Sequence, residues 1–148
     1  MWSSAGSDRG GTLARVYRFV DHTAELEVEL EAGSPEGVLE EALRAFAELV
    51  AEPEDERASA EPVERPVELV ASDLPSLLAA WLDELLFLAD AERLVPESAE
   101  LSVSGTTATG LVRARPGEPR PLVKAVTLHR LRFRREDGVW RARVVLDV

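Results

Sequence analysis

Residues 25–31 alternate without exception: Glu25, Glu27, Glu29 and Glu31 are interleaved with Leu26, Val28 and Leu30. A repeat of two puts successive side chains on opposite faces of an extended chain, so this stretch is a half-buried strand with a wet acidic face. The apolar face of such a strand must be covered by a second layer. Two helical patterns can supply it. After Ser34-Pro35, an N-cap followed by a proline where no N–H is needed, Val38, Leu39, Ala42, Leu43, Phe46 and Val50 recur at helical spacing. Glu40, Glu41, Arg44 and Glu48 are expected to face outward from this helix. Asp73 can cap a second helix carrying Leu74, Leu77, Leu78, Trp81, Leu82, Leu85 and Leu86.

The remaining elements read as strands. Arg15–Val20 is extended, and Val63–Ala71 contains Pro66, which suits a sheet edge. Ala99–Ser104 and Thr107–Ala114 flank Gly105-Thr106 as a hairpin. Val123–Arg134 and Val139–Leu146 flank Glu136-Asp137-Gly138, a stronger hairpin signal because Asp-Gly tolerates positive φ. Pro53–Pro62 and Arg115–Pro121 read as proline-punctuated loops. The expected fold is α+β: a two-layer sandwich of mostly antiparallel sheet with two helices packed on one face. Residues 1–12 are small and polar apart from Trp2 and are expected to form a flexible leader, with 13–148 as a single domain.

The 148 residues suit one domain, large enough to bury about 68–70% of its unfolded surface. With 45% hydrophobic and 30% charged residues the composition is that of a folded globule rather than a disordered tail. No apolar run approaches the ~18 residues of a membrane span, and the polar start carries no signal-peptide core. The chain has no cysteine, which excludes disulfides, thiolate zinc sites and thiol nucleophiles. A cytoplasmic location is expected.

The net charge of −11 is uneven. Residues 1–110 hold 7 Arg and 24 Asp or Glu, a balance of −17. Residues 111–148 hold 9 Arg, 1 Lys and 4 Asp or Glu, a balance of +6. The overall field repels phosphate backbones, which disfavours free-standing nucleic-acid binding, although the basic segment can face an acidic partner or a local RNA contact.

Several signatures of chemistry are missing, including GxxxxGK[ST], GxGxxG, GxSxG and HExxH. What remains is sparse. Lys124 is the single lysine beside 16 arginines. Asp21-His22-Thr23-Ala24-Glu25 lies between two strands, and Leu146-Asp147-Val148 closes the sequence. If the last strand pairs near the first, Glu25, Asp147 and the carboxylate of Val148 converge as hard oxygen ligands of the kind Mg²⁺, Ca²⁺ or Mn²⁺ prefers. The plainer alternative makes Asp21 and Thr23 turn residues and Glu25 one more member of a solvated face. Arg130, Arg132 and Arg134 share one side of a strand, either as a solvated face or as a docking stripe for an acidic partner.

Taken in order, several segments resemble the archease family. They are Asp21-His22-Thr23-Ala24-Glu25, the acidic helix after it, the Asp73-Leu74…Trp81-Leu82-Asp83-Glu84-Leu85-Leu86-Phe87 helix, Lys124-Ala125-Val126-Thr127-Leu128-His129, and Asp147-Val148. The resemblance spans about residues 15–148. It implies a non-enzymatic activator of an RtcB-type RNA ligase, which joins 2′,3′-cyclic-phosphate or 3′-phosphate ends to 5′-hydroxyl ends in tRNA splicing and RNA repair. Such an activator promotes ligase guanylylation by GTP with divalent metal, and so multiple turnover. The alternative that the family suggests is a chaperone or modulator of a tRNA methyltransferase. By resemblance the metal ligands fall on Glu25, Asp147 and Val148. The functionally important lysine falls on Lys124, with Asp21 and His22 beside it. Where the family has aspartate this chain has Glu25, one methylene longer, which moves the seat of the ion.

Without the resemblance two other classes stay open: a small metal-dependent phosphoesterase using Glu25, Asp147 and Lys124, and an inert acidic adaptor. Turnover of a phosphodiester by the pure protein with Mn²⁺ separates the first from the rest.

Overall fold

Ser34 and Asp73 each do what their sequence context predicts. Ser34 Oγ accepts from the N–H of Gly37 at 3.0 Å and opens α1 (Pro35–Val50), while Asp73 Oδ1 accepts from the N–H of Ser76 at 2.8 Å and opens α2 (Leu74–Glu92). Both helices begin with proline in the first turn, where its missing N–H costs nothing. Arg93 ends α2 in the left-handed conformation at φ 56°.

A computed structural model describes residues 2–4, 16–22, 24–52 and 60–148, with backbone alone for 2–4, 21 and 22. Eight strands are described: β1 (Trp2–Ser4), β2 (Val16–His22), β3 (Glu25–Ala32), β4 (Val63–Val70), β5 (Leu94–Ser104), β6 (Thr107–Pro116), β7 (Ala125–Glu136) and β8 (Val139–Asp147). The fold is α+β and the described strand pairs are all antiparallel. The strands divide between two sheets, five in the order β1-β2-β3-β8-β7 and three in the order β4-β6-β5. Pro66 lies on β4, an edge strand of the smaller sheet, where a missing N–H is tolerated.

Three residues of the segment expected to be a leader, Trp2–Ser4, pair with β2 as a short edge strand. Residues 5–15 and most of the expected Pro53–Pro62 loop lie outside the described residues. The first hairpin is longer than its sequence signal, because β5 starts at Leu94 and carries a bulge between Pro96 and Ser98. The second turns on Asp137 (φ 52°) and Gly138 (φ 82°), two consecutive positive-φ residues that match the right-handed twist of the strands.

Both helices touch both sheets: α1 packs on β3 and on β5, and α2 packs on β7 and on β5. This explains a departure from the helical pattern. Glu41, expected to face outward, is completely buried, and Arg44 Nη1 donates to its Oε2 at 2.9 Å. A helix covered on two sides has no fully wet face, so the carboxylate is held by an ion pair one turn away. The buried Trp81 of α2 donates its indole N–H to the carbonyl of Leu39 in α1 at 2.8 Å, joining the helices through the core. On the sheet side Leu26, Val28 and Leu30 are buried as the alternation requires, with Val144 and Leu146 beside them.

Candidate metal centre

The outer face of the five-stranded sheet is a ladder of cross-strand rows, each running from β2 through β3 and β8 to β7. Residues in register across strands share a face and stand about 5 Å apart. In the row of Glu31, Arg141 Nε donates to Glu31 Oε1 at 2.9 Å, and Arg134 follows on β7. Glu31, the strongest partner, holds the Arg141 guanidinium above its usual pKa. In the row of Glu29, Arg18 of β2 pairs with Glu29 at 2.8 Å, and Arg143 and Arg132 lie beyond.

In the row of Glu27, β8 contributes Val145 and offers no cation. The cation comes instead from an irregularity in β7. Thr127 is in register with Val145 and Arg132 with Arg143, so Leu128–Leu131 stand opposite the single residue Val144. This excursion puts Arg130 Nη2 3.4 Å from Glu27 Oε1, and Glu27 is only 6% exposed. Arg143 Nε donates to the Arg130 carbonyl at 3.0 Å, and Arg130 itself takes φ 56°.

The last row breaks the pattern. Glu25 is in register with Asp147, and Asp147 with Ala125, so two carboxylates face each other beside a methyl group. Both are half-buried. Among the described residues no ion pair involves Glu25, Asp147 or Lys124. The backbone here is tightly fixed. Lys124 N–H donates to Asp147 O at 2.7 Å, and Val148 N–H donates to Ala24 O at 3.2 Å. Four of the expected site residues, Glu25, Lys124, Asp147 and Val148, therefore gather at one end of the sheet, with the Lys124 side chain exposed.

The backbone of His22 is in register with Glu25 and that of Asp21 with Leu26, which brings both to the same end. The side chains of Asp21 and His22, and the whole of Thr23, lie outside the described residues. Arg130, Arg132 and Arg134 do not form the simple stripe that alternation predicts. The excursion separates Arg130 from the other two and commits it to Glu27, and Arg134 pairs with Glu136 at 2.8 Å.

Sequence reasoning missed the link between Glu27 and Arg130. Its only trace was the glutamate alternation, whose four acids face only two arginines, Arg141 and Arg143, on β8. It also missed a groove of about 410 Å³ at the same end of the molecule, walled by Phe19, Leu26, Leu49, Leu122 and Val148 and edged by Glu48 and Arg120. Arg120 N–H donates to the carbonyl of Val50 at 2.8 Å, which ties the loop before β7 to the end of α1. The Tyr17 hydroxyl donates to Glu48 at 2.8 Å, and burial followed by this carboxylate pushes its pKa well above the usual phenol value.

The two helices and the antiparallel strands define an α+β domain, and comparison with known proteins gives its family. Residues 17–148 match the model of the archease protein family (MTH1598/TM1083). The chain is 33% identical over 143 residues to protein archease of Methanopyrus kandleri, covering 87% of this chain and 96% of that protein. It is 34% identical over 140 residues to protein archease of Methanothermobacter thermautotrophicus, covering 89% and 98%. The solution structure of Methanobacterium thermoautotrophicum protein 1598 superposes with a TM-score of 0.66 at 32% identity, covering 88% of this chain and 96% of that one. A crystal structure described as an archease, possible chaperone, from Thermotoga maritima shares the fold at a TM-score of 0.57 and 23% identity, covering 87% and 94%. The chain belongs to the archease family. Among the described residues no helix is long and apolar enough to cross a membrane.

Proposed function

We propose that this chain is a non-enzymatic, cytoplasmic activator of an RtcB-type RNA ligase, and that the Glu25–Asp147 corner holds a divalent cation through which it acts. The break in the charge ladder is the observation that supports this reading best. Every other glutamate of β3 has an arginine within 3.4 Å, whereas Glu25 faces a second carboxylate. Like charges directly opposite destabilise a sheet, and a cation between them reverses the sign.

The donors fit a hard ion: two carboxylates in register, with the backbone oxygens of Val148 adjacent. Among the described residues no third His, Asp or Glu side chain joins them, so the remaining ligands are backbone oxygens, water or groups of the partner. A bound Ca²⁺, Mg²⁺ or Mn²⁺ supplies positive charge at this tip. The residues of the chain do the rest. Glu25 and Asp147 would hold the ion at the sheet end, and Lys124, tied by its backbone to Asp147, carries an exposed side chain at the same end.

The sequence carries no phosphate cradle or activated nucleophile, so the chain acts by binding. A tip that binds the guanylylation-competent ligase more tightly than its other states shifts the population toward that state. Chaperoning or modulation of a tRNA methyltransferase is the second reading, in line with the words "possible chaperone" given for the Thermotoga relative.

The test is ligase guanylylation by GTP with divalent metal, with wild type, Lys124→Ala and Asp147→Ala added in turn. Wild type is expected to stimulate, and each variant to lose about tenfold or more of that stimulation. Unchanged stimulation by both variants overturns the role of the corner. No stimulation by wild type overturns the activator reading.

A further inference from the structure

We propose that Leu128, carried on the β7 excursion, is a docking anchor that seats in an apolar, acid-rimmed socket on the partner protein. The proposal rests on the activator reading and adds the surface by which the chain grips its partner. Leu128 is 73% exposed. A single exposed leucine on a surface ordinarily means nothing. This one differs in how its base is held.

Arg130 sits in the left-handed region at φ 56°, a conformation unfavourable for a side chain with a Cβ. It is kept there from two sides: its guanidinium lies on the buried Glu27, and its carbonyl accepts from Arg143. The His129 N–H adds a bond to Thr127 Oγ1 at 3.3 Å. The same excursion returns Leu131 to the core, so one leucine is turned in and the other out. Val70, at 75% exposure, lies at the end of edge strand β4, on the other sheet and away from the corner. Side chains pre-fixed for contact lose less entropy on binding.

Position and charge indicate the occupant. Leu128 lies three residues along β7 from Ala125, the neighbour of Asp147, which is about 10 Å of extended chain. A partner that meets the corner therefore meets Leu128 as well. With Arg130 held by Glu27, the neighbours of the leucine along the chain still include His129 and Arg132, in the segment whose balance is +6, which fits a socket rimmed by carboxylates. Phosphates would also be drawn to these cations, but a leucine is no platform for base stacking, and this favours a protein.

The experiment measures affinity of the full chain for the purified ligase, comparing wild type, Leu128→Ser and Leu128→Met. Leu128→Ser is expected to bind about tenfold more weakly or worse, and Leu128→Met within about twofold of wild type. The melting temperature and Mn²⁺ affinity of Leu128→Ser are expected to match wild type. Equal affinity of Leu128→Ser and wild type overturns the anchor. So does a loss of affinity matched by a fall in melting temperature, a loss of RNA binding in its place, or a wild-type dimer that Leu128→Ser disperses. Absence of wild-type binding overturns the activator reading itself, and is seen before any variant is compared.

Discussion

Glu25 and Asp147 face each other in register across β3 and β8, at the end of a sheet face whose other glutamates each meet an arginine. With no cation between them, the two carboxylates repel. Asp147→Asn is therefore expected to raise the stability of the metal-free protein by about 0.2–1 kcal/mol, because opposed like charges in a sheet cost that much. Urea denaturation in the presence of a chelator measures it, and a less stable variant would show the repulsion to be absent.

The pairing of Glu27 with Arg130 has the opposite sign. Removing the guanidinium takes one ion-pair partner from a carboxylate that is only 6% exposed, so Arg130→Ala is expected to cost about 1–2 kcal/mol. Combined with Glu27→Gln, the loss should be less than the sum of the two, by about 0.5 kcal/mol or more. A double-mutant cycle by chemical denaturation checks this, and strict additivity would mean that the two side chains do not act together.

Gly110 is fixed by space. A Cβ placed there would stand 1.9 Å from the backbone oxygen of Glu100, on the neighbouring strand β5, and neither backbone can give way cheaply. Gly110→Ala is expected to destabilise by about 3 kcal/mol. Gly105 has nothing within 4 Å but sits at φ 60°, so Gly105→Ala should cost about 1 kcal/mol from backbone strain alone. Thermal melts of the two variants rank them, and a reversed order would contradict the close approach of β5 and β6.

The cap on α2 carries a pH signature. The Ser76 side chain and then its N–H bond to Asp73 and hold the carboxyl below its ordinary 3.8. A carboxyl whose folded pKa is depressed stabilises the fold above the unfolded value and loses that contribution as pH falls through the folded one. Asp73→Asn keeps a capping oxygen but not the charge. Wild type should exceed Asp73→Asn in stability at pH 7, and the gap should close as pH drops below 3.8. A gap that stays constant with pH would place the benefit in the hydrogen bond alone.

Local chemistry made much of this fold legible in the sequence. The strict alternation of residues 25–31, the caps Ser34 and Asp73, the turn at Asp137-Gly138 and the edge strand marked by Pro66 depend on near neighbours, and each is found where the pattern puts it. The division into two sheets was not legible, because which strands share a sheet is decided by long-range packing. The excursion in β7 was hidden for a related reason. His129 to Arg134 reads as plain alternation, and only the pairing of β3 with β8 reveals that Glu27 has no cation opposite and draws Arg130 out of register. The corner was half legible. Its residues stand out by type, but their meeting depends on β3 and β8 being neighbours, with 114 residues between Ala32 and Asp147. Glu41 misled in the other direction, since an outward face on one sheet becomes a buried one when a second sheet covers the helix.

Direct titration of Mn²⁺ into the purified protein, followed by calorimetry or by the loss of the free-ion spin-resonance signal, tests the heart of this account. Wild type should take up the ion saturably, while Glu25→Gln with Asp147→Asn should weaken uptake by about a hundredfold or abolish it, with the melting temperature of the apo form equal to or above that of wild type. Uptake by the doubly substituted protein with wild-type affinity would place the ion elsewhere, and leave two opposed carboxylates with no cation to explain them.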